Sequence, residues 1–223
     1  MRNILLIIAL LLAFSCSSAA QFKIGQDIIG TPYDSKYTDG YVGDVYLYSN
    51  WITGHVLQEN EKYFNNMLLK YDIFNDRIIF KSNEDQAMAF KYPIKEFQMI
   101  LNKSSIEPMA LFKNGFPEVG KYNQKSYYQV LTEGKTTLLK KLYKSISESI
   151  SYGESEKKKT FLYNEIYFLC HQGKMIKFQK NTKNLLAILS DKRTKLSNFI
   201  KEKNLIMKSE EDYVNVINYY NTL

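Results

Sequence analysis

The chain has 223 residues, a formal net charge of +7, 45% hydrophobic and 14% aromatic residues, and only 4 Pro and 10 Gly. That composition excludes collagen-like and low-complexity chains and supplies enough apolar material for a packed core. With 2 Cys and 2 His, a disulfide-stapled scaffold and a multi-histidine metal centre are also excluded.

The first residues read as an export signal. Arg2 is followed by the apolar run Ile4–Phe14 and then by small residues ending at Ala20, the layout of a secretory signal peptide cut before Gln21. The run is shorter than the roughly 20 apolar residues that span a bilayer. The expectation is export to the periplasm or the outside. Ser15-Cys16 also partly matches a lipobox, so lipidation of Cys16, and with it an outer-membrane anchor, stands as the alternative. Only that modification would attach the protein to a membrane. Cys170, inside the apolar run IYFLCH, reads as a small buried residue.

Residues 21–180 read as a β-rich domain and residues 181–223 as a helical segment packed on or beside it. An aromatic lead-in carries Tyr33, Tyr37, Tyr41 and Trp51. Val45 and Leu47 alternate in a strand expected near Tyr41–Tyr48, and a second strand is expected around His55–Leu57. In Met67–Phe90, Met67, Leu69, Tyr71 and Ile73 fall on one face. The alternation breaks at Asn75-Asp76 and resumes at Ile78 and Phe80. It breaks again over Ser82–Asp85 and closes at Met88 and Phe90, which makes a three-stranded meander. Phe97, Met99 and Leu101 alternate after Pro93, and a short segment covers Met109–Phe112.

Two hairpins then share a Gly-Lys tip, Tyr128–Lys141 and Tyr167–Lys180, with Gly134 and Gly173 at the turns. Polar Ser151–Lys159 reads as a mobile loop between them, and His171 as a solvent-facing strand residue. From Asn181 the period becomes helical, through Leu185, Leu186, Ile188 and Leu189, then Leu196, Phe199 and Ile200. Ser209-Glu210-Glu211-Asp212 forms a capping box before Tyr213, Val216, Ile217 and Tyr220 at i, i+3, i+4 and i+7. The expected fold class is α+β: an antiparallel meander and hairpin sheet followed by two or three C-terminal helices.

Motifs that carry chemistry are missing from this reading. No H-E-x-x-H, P-loop, G-x-S-x-G or G-x-G-x-x-G occurs, so no cofactor or metal site is expected. Two surface features remain as contact candidates. One is the aromatic lead-in of Tyr33, Tyr37, Tyr41 and Trp51, whose rings suit sugars or a protein partner. The other is a basic face with Lys140, Lys141, Lys144, Lys177 and Lys180, suited to acidic glycans or lipid head groups. Nucleic acid is not expected in an exported chain without a nucleic-acid module. The leading expectation is a non-enzymatic binding or structural module with an envelope protein, glycan or lipid head group as partner. The alternative is a polysaccharide hydrolase using carboxylates such as Glu96 and Glu165, assembled only by folding.

As a set, Ile29–Tyr33, Lys70–Asp76, the two Gly-Lys hairpins, Lys208–Asp212 and Tyr219–Asn221 resemble an uncharacterised secreted or periplasmic family of Gram-negative, Bacteroidota-type envelopes. The resemblance implies location and architecture. It brings no activity and no catalytic residue.

Overall fold

The computed structural model describes residues 28–37, 40–101, 109–150 and 157–223. The expected export signal and Cys16 lie outside the described residues. Among those described, twelve strands join one mostly antiparallel sheet. The first eight are β1 (Gly30–Pro32), β2 (Tyr41–Val42), β3 (Ile52–Gln58), β4 (Tyr63–Asp72), β5 (Arg77–Lys81), β6 (Ala87–Phe90), β7 (Ile94–Ile100) and β8 (Met109–Lys113). The rest are β9 (Tyr128–Thr132), β10 (Thr136–Ser149), β11 (Lys158–His171) and β12 (Lys174–Phe178). Three helices follow: α1 (Thr182–Ile188), α2 (Arg193–Glu202) and α3 (Glu210–Asn221). The fold is therefore α+β, a sheet followed by C-terminal helices. No helix among the described residues is long and apolar enough to cross a membrane.

The alternating face of β4 lies inside, with Met67, Leu69, Tyr71 and Ile73 all buried. Asp76 closes the β4–β5 turn at φ 56 and Asp85 the β5–β6 turn at φ 62, left-handed positions that Asp tolerates. The expected strand over Tyr41–Tyr48 is corrected to the two residues of β2, paired in parallel with Lys159 and Thr160 of β11. The reason is Asp44. Its carboxylate accepts from the Tyr46 amide at 2.9 Å and the Ser49 hydroxyl at 2.6 Å, so the side chain folds the backbone into a turn instead of a ladder. Val45 and Leu47 still bond the chain to the end of β4 through Ile73 and Tyr71.

The sheet order is β1-β6-β5-β4-β3-β7-β8-β9-β10-β11-β12. In a flat sheet β4 and β10, five places apart, would lie roughly 24 Å from each other at about 4.8 Å per strand. Instead the Lys144 amide in β10 donates to the Ile73 carbonyl at 3.3 Å, immediately after β4. The sheet therefore curls back on itself. Inside the curl the rings of Tyr71, Phe97, Phe112 and Tyr127 meet edge to face or stacked, with Phe97 and Phe112 centroids 4.8 Å apart.

At Gly54, in the central strand β3, an added Cβ would lie 2.1 Å from the Gln98 carbonyl oxygen and 2.7 Å from Leu69 Cδ1. Gly54→Ala is expected to force the β3–β7 pair apart and cost about 1–3 kcal/mol. Urea denaturation measures it, and a variant as stable as the wild type would contradict the packing described.

The paired hairpins differ in what their glycines do. Gln172-Gly173 is a two-residue turn with φ 49 and 74 and open space around Gly173. Gly134 is instead required by close approach, because a Cβ there would lie 2.4 Å from the Asn221 side chain at the end of α3. Asn221 accepts from the Thr136 amide at 2.9 Å and donates to the Thr136 carbonyl at 2.9 Å, binding the last helix to the first hairpin. Between the hairpins, β10 and β11 pair over fourteen residues, from Thr136–His171 to Ser149–Lys158. Lys158 and Lys159 are thus strand residues, while 151–156 lie outside the described residues.

His171 is buried, not solvent-facing. Its Nδ1 lies 2.7 Å from the Thr136 hydroxyl, and its ring packs edge-on against Tyr220. The cause is the helical layer. Leu138, Tyr167, Leu169 and Phe178 form one cluster with Leu185, Leu189, Leu196, Tyr213, Val216, Ile217 and Tyr220, so this part of the sheet is covered. The capping box is present, with Ser209 Oγ accepting from the Asp212 amide and the Asp212 carboxylate accepting from the Ser209 amide.

Candidate functional site

The β4–β5 turn reaches across the curl to β10 and puts an ion pair inside the protein. Lys141 is 2% exposed. Its Nζ lies 2.6 Å from Asp76 Oδ2, donates to the Tyr127 carbonyl at 2.9 Å and lies 3.4 Å from the Tyr71 hydroxyl. Tyr71 donates to the other Asp76 oxygen at 2.5 Å. Burial holds the Lys141 ammonium below its ordinary pKa, against the opposing pull of Asp76. Burial and the Asp76 carboxylate both push the Tyr71 hydroxyl well up. The rings of Tyr122 and Tyr128 stand 5.8 and 5.7 Å from Nζ, and their buried hydroxyls have no hydrogen-bond partner among the described residues. Burial pushes Tyr122 up to about 12.

Asp76 is also where this interior meets solvent. It lines a cleft of about 520 Å³ with Glu59, Arg77, Tyr92, Asn114, Lys125 and Tyr127. The volume is that of a small-ligand cleft. Two of its lining residues are tied to one backbone oxygen: Tyr127 donates to the Ile94 carbonyl at 2.6 Å and Asn114 to the same oxygen at 2.8 Å. The Asp76 carboxylate has a partner on each oxygen, Lys141 on one and Tyr71 on the other.

The residues singled out in the sequence go to different places. Tyr33 donates to Asp72 at 2.5 Å and carries the Arg77 guanidinium over its ring at 5.7 Å. Tyr37 and Tyr41 are half-buried against Phe74 and Phe161, with centroids 5.0–6.2 Å apart. Trp51 is half-buried under Lys70, whose Nζ is 5.1 Å from the ring. These aromatics pack, and only Tyr33 borders the cleft residues, through Arg77. The expected basic face is largely paired. Lys141 is interior, Lys140 binds Glu210 at 2.8 Å, Lys144 binds Asp44 at 3.0 Å and Lys180 faces Glu165 at 3.7 Å. Lys177 remains exposed on β12. The reason is that folding brings acids from distant segments to lysines that the sequence places together.

Glu96 and Glu165 are not brought together; their strands are four places apart and Glu96 pairs with Lys113 at 3.4 Å. Glu165 meets Glu210 instead, both within reach of the Tyr167 hydroxyl, at 2.9 and 2.7 Å. Each keeps its own lysine, so the cluster ties the start of α3 to the sheet. Among the described residues no group of three or more His, Cys, Asp or Glu could hold a metal ion. The sequence reading missed Asp76, Arg77, Lys125 and Tyr92. The available signal was an acid closing an aromatic hairpin, which is indistinguishable from an ordinary turn until the buried lysine is located. Comparison with known protein families, curated proteins and solved structures gives no match.

Proposed function

We propose that this chain is an exported, non-enzymatic binding module of a bacterial envelope, and that it holds its partner in the cleft above Asp76. The observation that carries this reading is a ligand-sized cleft whose carboxylate is held by an ion pair to Lys141 and a hydrogen bond from Tyr71. A carboxylate held in this way is suited to positioning neighbouring groups. The signal-like N-terminus supplies the location.

The test is capture from envelope fractions with the chain starting at Gln21, beside an Arg77→Gln/Tyr92→Ala variant. A protein, glycan or lipid retained by the first and lost by the second is the expected result. Equal capture by both, or none by either, would remove the reading. Fractionation with N-terminal sequencing should find the mature chain outside the cytoplasm and beginning at Gln21, and a lipid-modified start at Cys16 would replace that cut with an anchor.

A second reading rests on Glu165 and Glu210. Their carboxylates flank one hydroxyl, that of Tyr167, at 2.9 and 2.7 Å, and paired carboxylates are the machinery of glycoside hydrolysis. Release of sugar from envelope polysaccharide that disappears in Glu165→Gln would favour it. The two lysine counter-charges make a docking clamp the better-supported role.

A further inference from the structure

The cleft holds two cations that make no ion pair among the described residues. Arg77 is the first residue of β5, directly after the paired Asp76, and is exposed. Its guanidinium lies over the Tyr33 ring, and Tyr33 is itself fixed by Asp72. A guanidinium stacked in this way is pre-oriented and leaves its N–H edge available for a carboxylate. Lys125, from the turn before β9, is exposed on the same cleft. Among the described residues neither cation is within 4.0 Å of a carboxylate, whereas Lys113, Lys140, Lys141, Lys144 and Lys180 all are.

The other wall groups narrow the ligand. Glu59 puts one negative charge in the same cleft, which disfavours a multiply charged phosphate and can accept from hydroxyls. Tyr92 is 42% exposed beside Phe90 and Pro93, an aromatic and apolar surface of the kind that covers a sugar ring. A singly charged, hydroxyl-rich ring satisfies all of these at once. We propose that the cleft binds a carboxylate-bearing sugar residue of an acidic polysaccharide, with the acid group on Arg77 and Lys125, the ring on Tyr92 and hydroxyls toward Glu59. This rests on the binding function proposed above and names its ligand class.

The experiment uses the chain from Gln21 and three polymers: polygalacturonate, the same polymer methyl-esterified, and poly-glutamate. Calorimetry reads binding for the wild type, Arg77→Gln, Lys125→Gln and Tyr92→Ala, each checked for an unchanged circular dichroism spectrum and melting temperature. The expected result is binding to polygalacturonate that falls about tenfold or more in Arg77→Gln, the size of one charge-assisted hydrogen bond. Lys125→Gln and Tyr92→Ala should each weaken it several-fold, and esterification should abolish it. Equal binding of the ester would overturn the carboxylate contact. Poly-glutamate binding as tight as polygalacturonate would overturn the sugar and point to an acidic peptide. No binding to any of the three would also overturn the ligand class, while envelope capture that depends on Arg77 and Tyr92 would leave the binding function standing. Failure of both experiments would remove both.

Discussion

Asp76→Ala is expected to cost about 3–5 kcal/mol of folding stability, because it strands a charge in the interior. Lys141 would lose its 2.6 Å partner while its side chain stays 3% exposed. Its remaining contacts, the Tyr127 carbonyl and the Tyr71 hydroxyl, carry no compensating charge. The variant should also become more stable as pH rises. Burial already holds the folded Lys141 below its ordinary value of 10.5, so the unfolded chain binds the extra proton between the folded value and 10.5. Removing Asp76 widens that window. Lys141→Met should cost less, since the Asp76 side chain is 26% exposed and can be hydrated from the cleft. The double variant Asp76→Ala/Lys141→Met should recover much of the loss, as apolar replacements of buried pairs do. Urea denaturation of the three variants gives the coupling, and an Asp76→Ala variant within 1 kcal/mol of wild type, roughly the value of an exposed pair, would show that the pair is not buried.

The second large effect is alkaline unfolding. Burial is the largest cause raising the hydroxyl pKa of Tyr33, Tyr71, Tyr127, Tyr128 and Tyr167, and it raises Tyr122 to about 12. Nearby Asp72, Asp76, Glu165 and Glu210 add to it. A raised folded pKa means that the native state keeps protons the unfolded chain releases near pH 10. Stability is fully present below pH 10 and falls as pH rises through the folded values, with each such group contributing at most about 1.4 kcal/mol per pH unit. Lys141 works in the opposite direction with one proton and is outnumbered. Denaturation midpoints should therefore be flat from pH 8 to 9.5 and drop steeply above pH 10. Tyrosinate absorbance should rise together with loss of the β-sheet signal, and titration of most tyrosines near pH 10 in a still-folded protein would contradict the burial.

The strand and helix periods of this chain are local properties, and they were legible. Met67, Leu69, Tyr71 and Ile73 had to share a buried face because pleating has a period of two. Ser209 and Asp212 had to cap a helix because their side chains reach its first free amides. Where a side chain competed for the backbone, as Asp44 does, the period misled, and a strand near Tyr41–Tyr48 was expected where a turn exists. Gly134 showed the same limit. A turn glycine and a glycine under a helix end look alike in one dimension, and only Asn221 separates them.

The candidate site was not legible for a related reason. Lys141 and Asp76 are sixty-five positions apart, and their meeting depends on β4 and β10 closing a curl across the four strands between them. Lys140 and Lys141 are adjacent and alternate faces, so one becomes a clamp to Glu210 and the other an interior charge. The sequence by itself determined the β-then-α order, the β4 strand face and the capped last helix, because each depends on residues within a few positions of one another. Only the tertiary structure decided which charges are buried, which are paired and which two remain open in a cleft. Electrostatic pairing acts through space and is indifferent to distance along the chain.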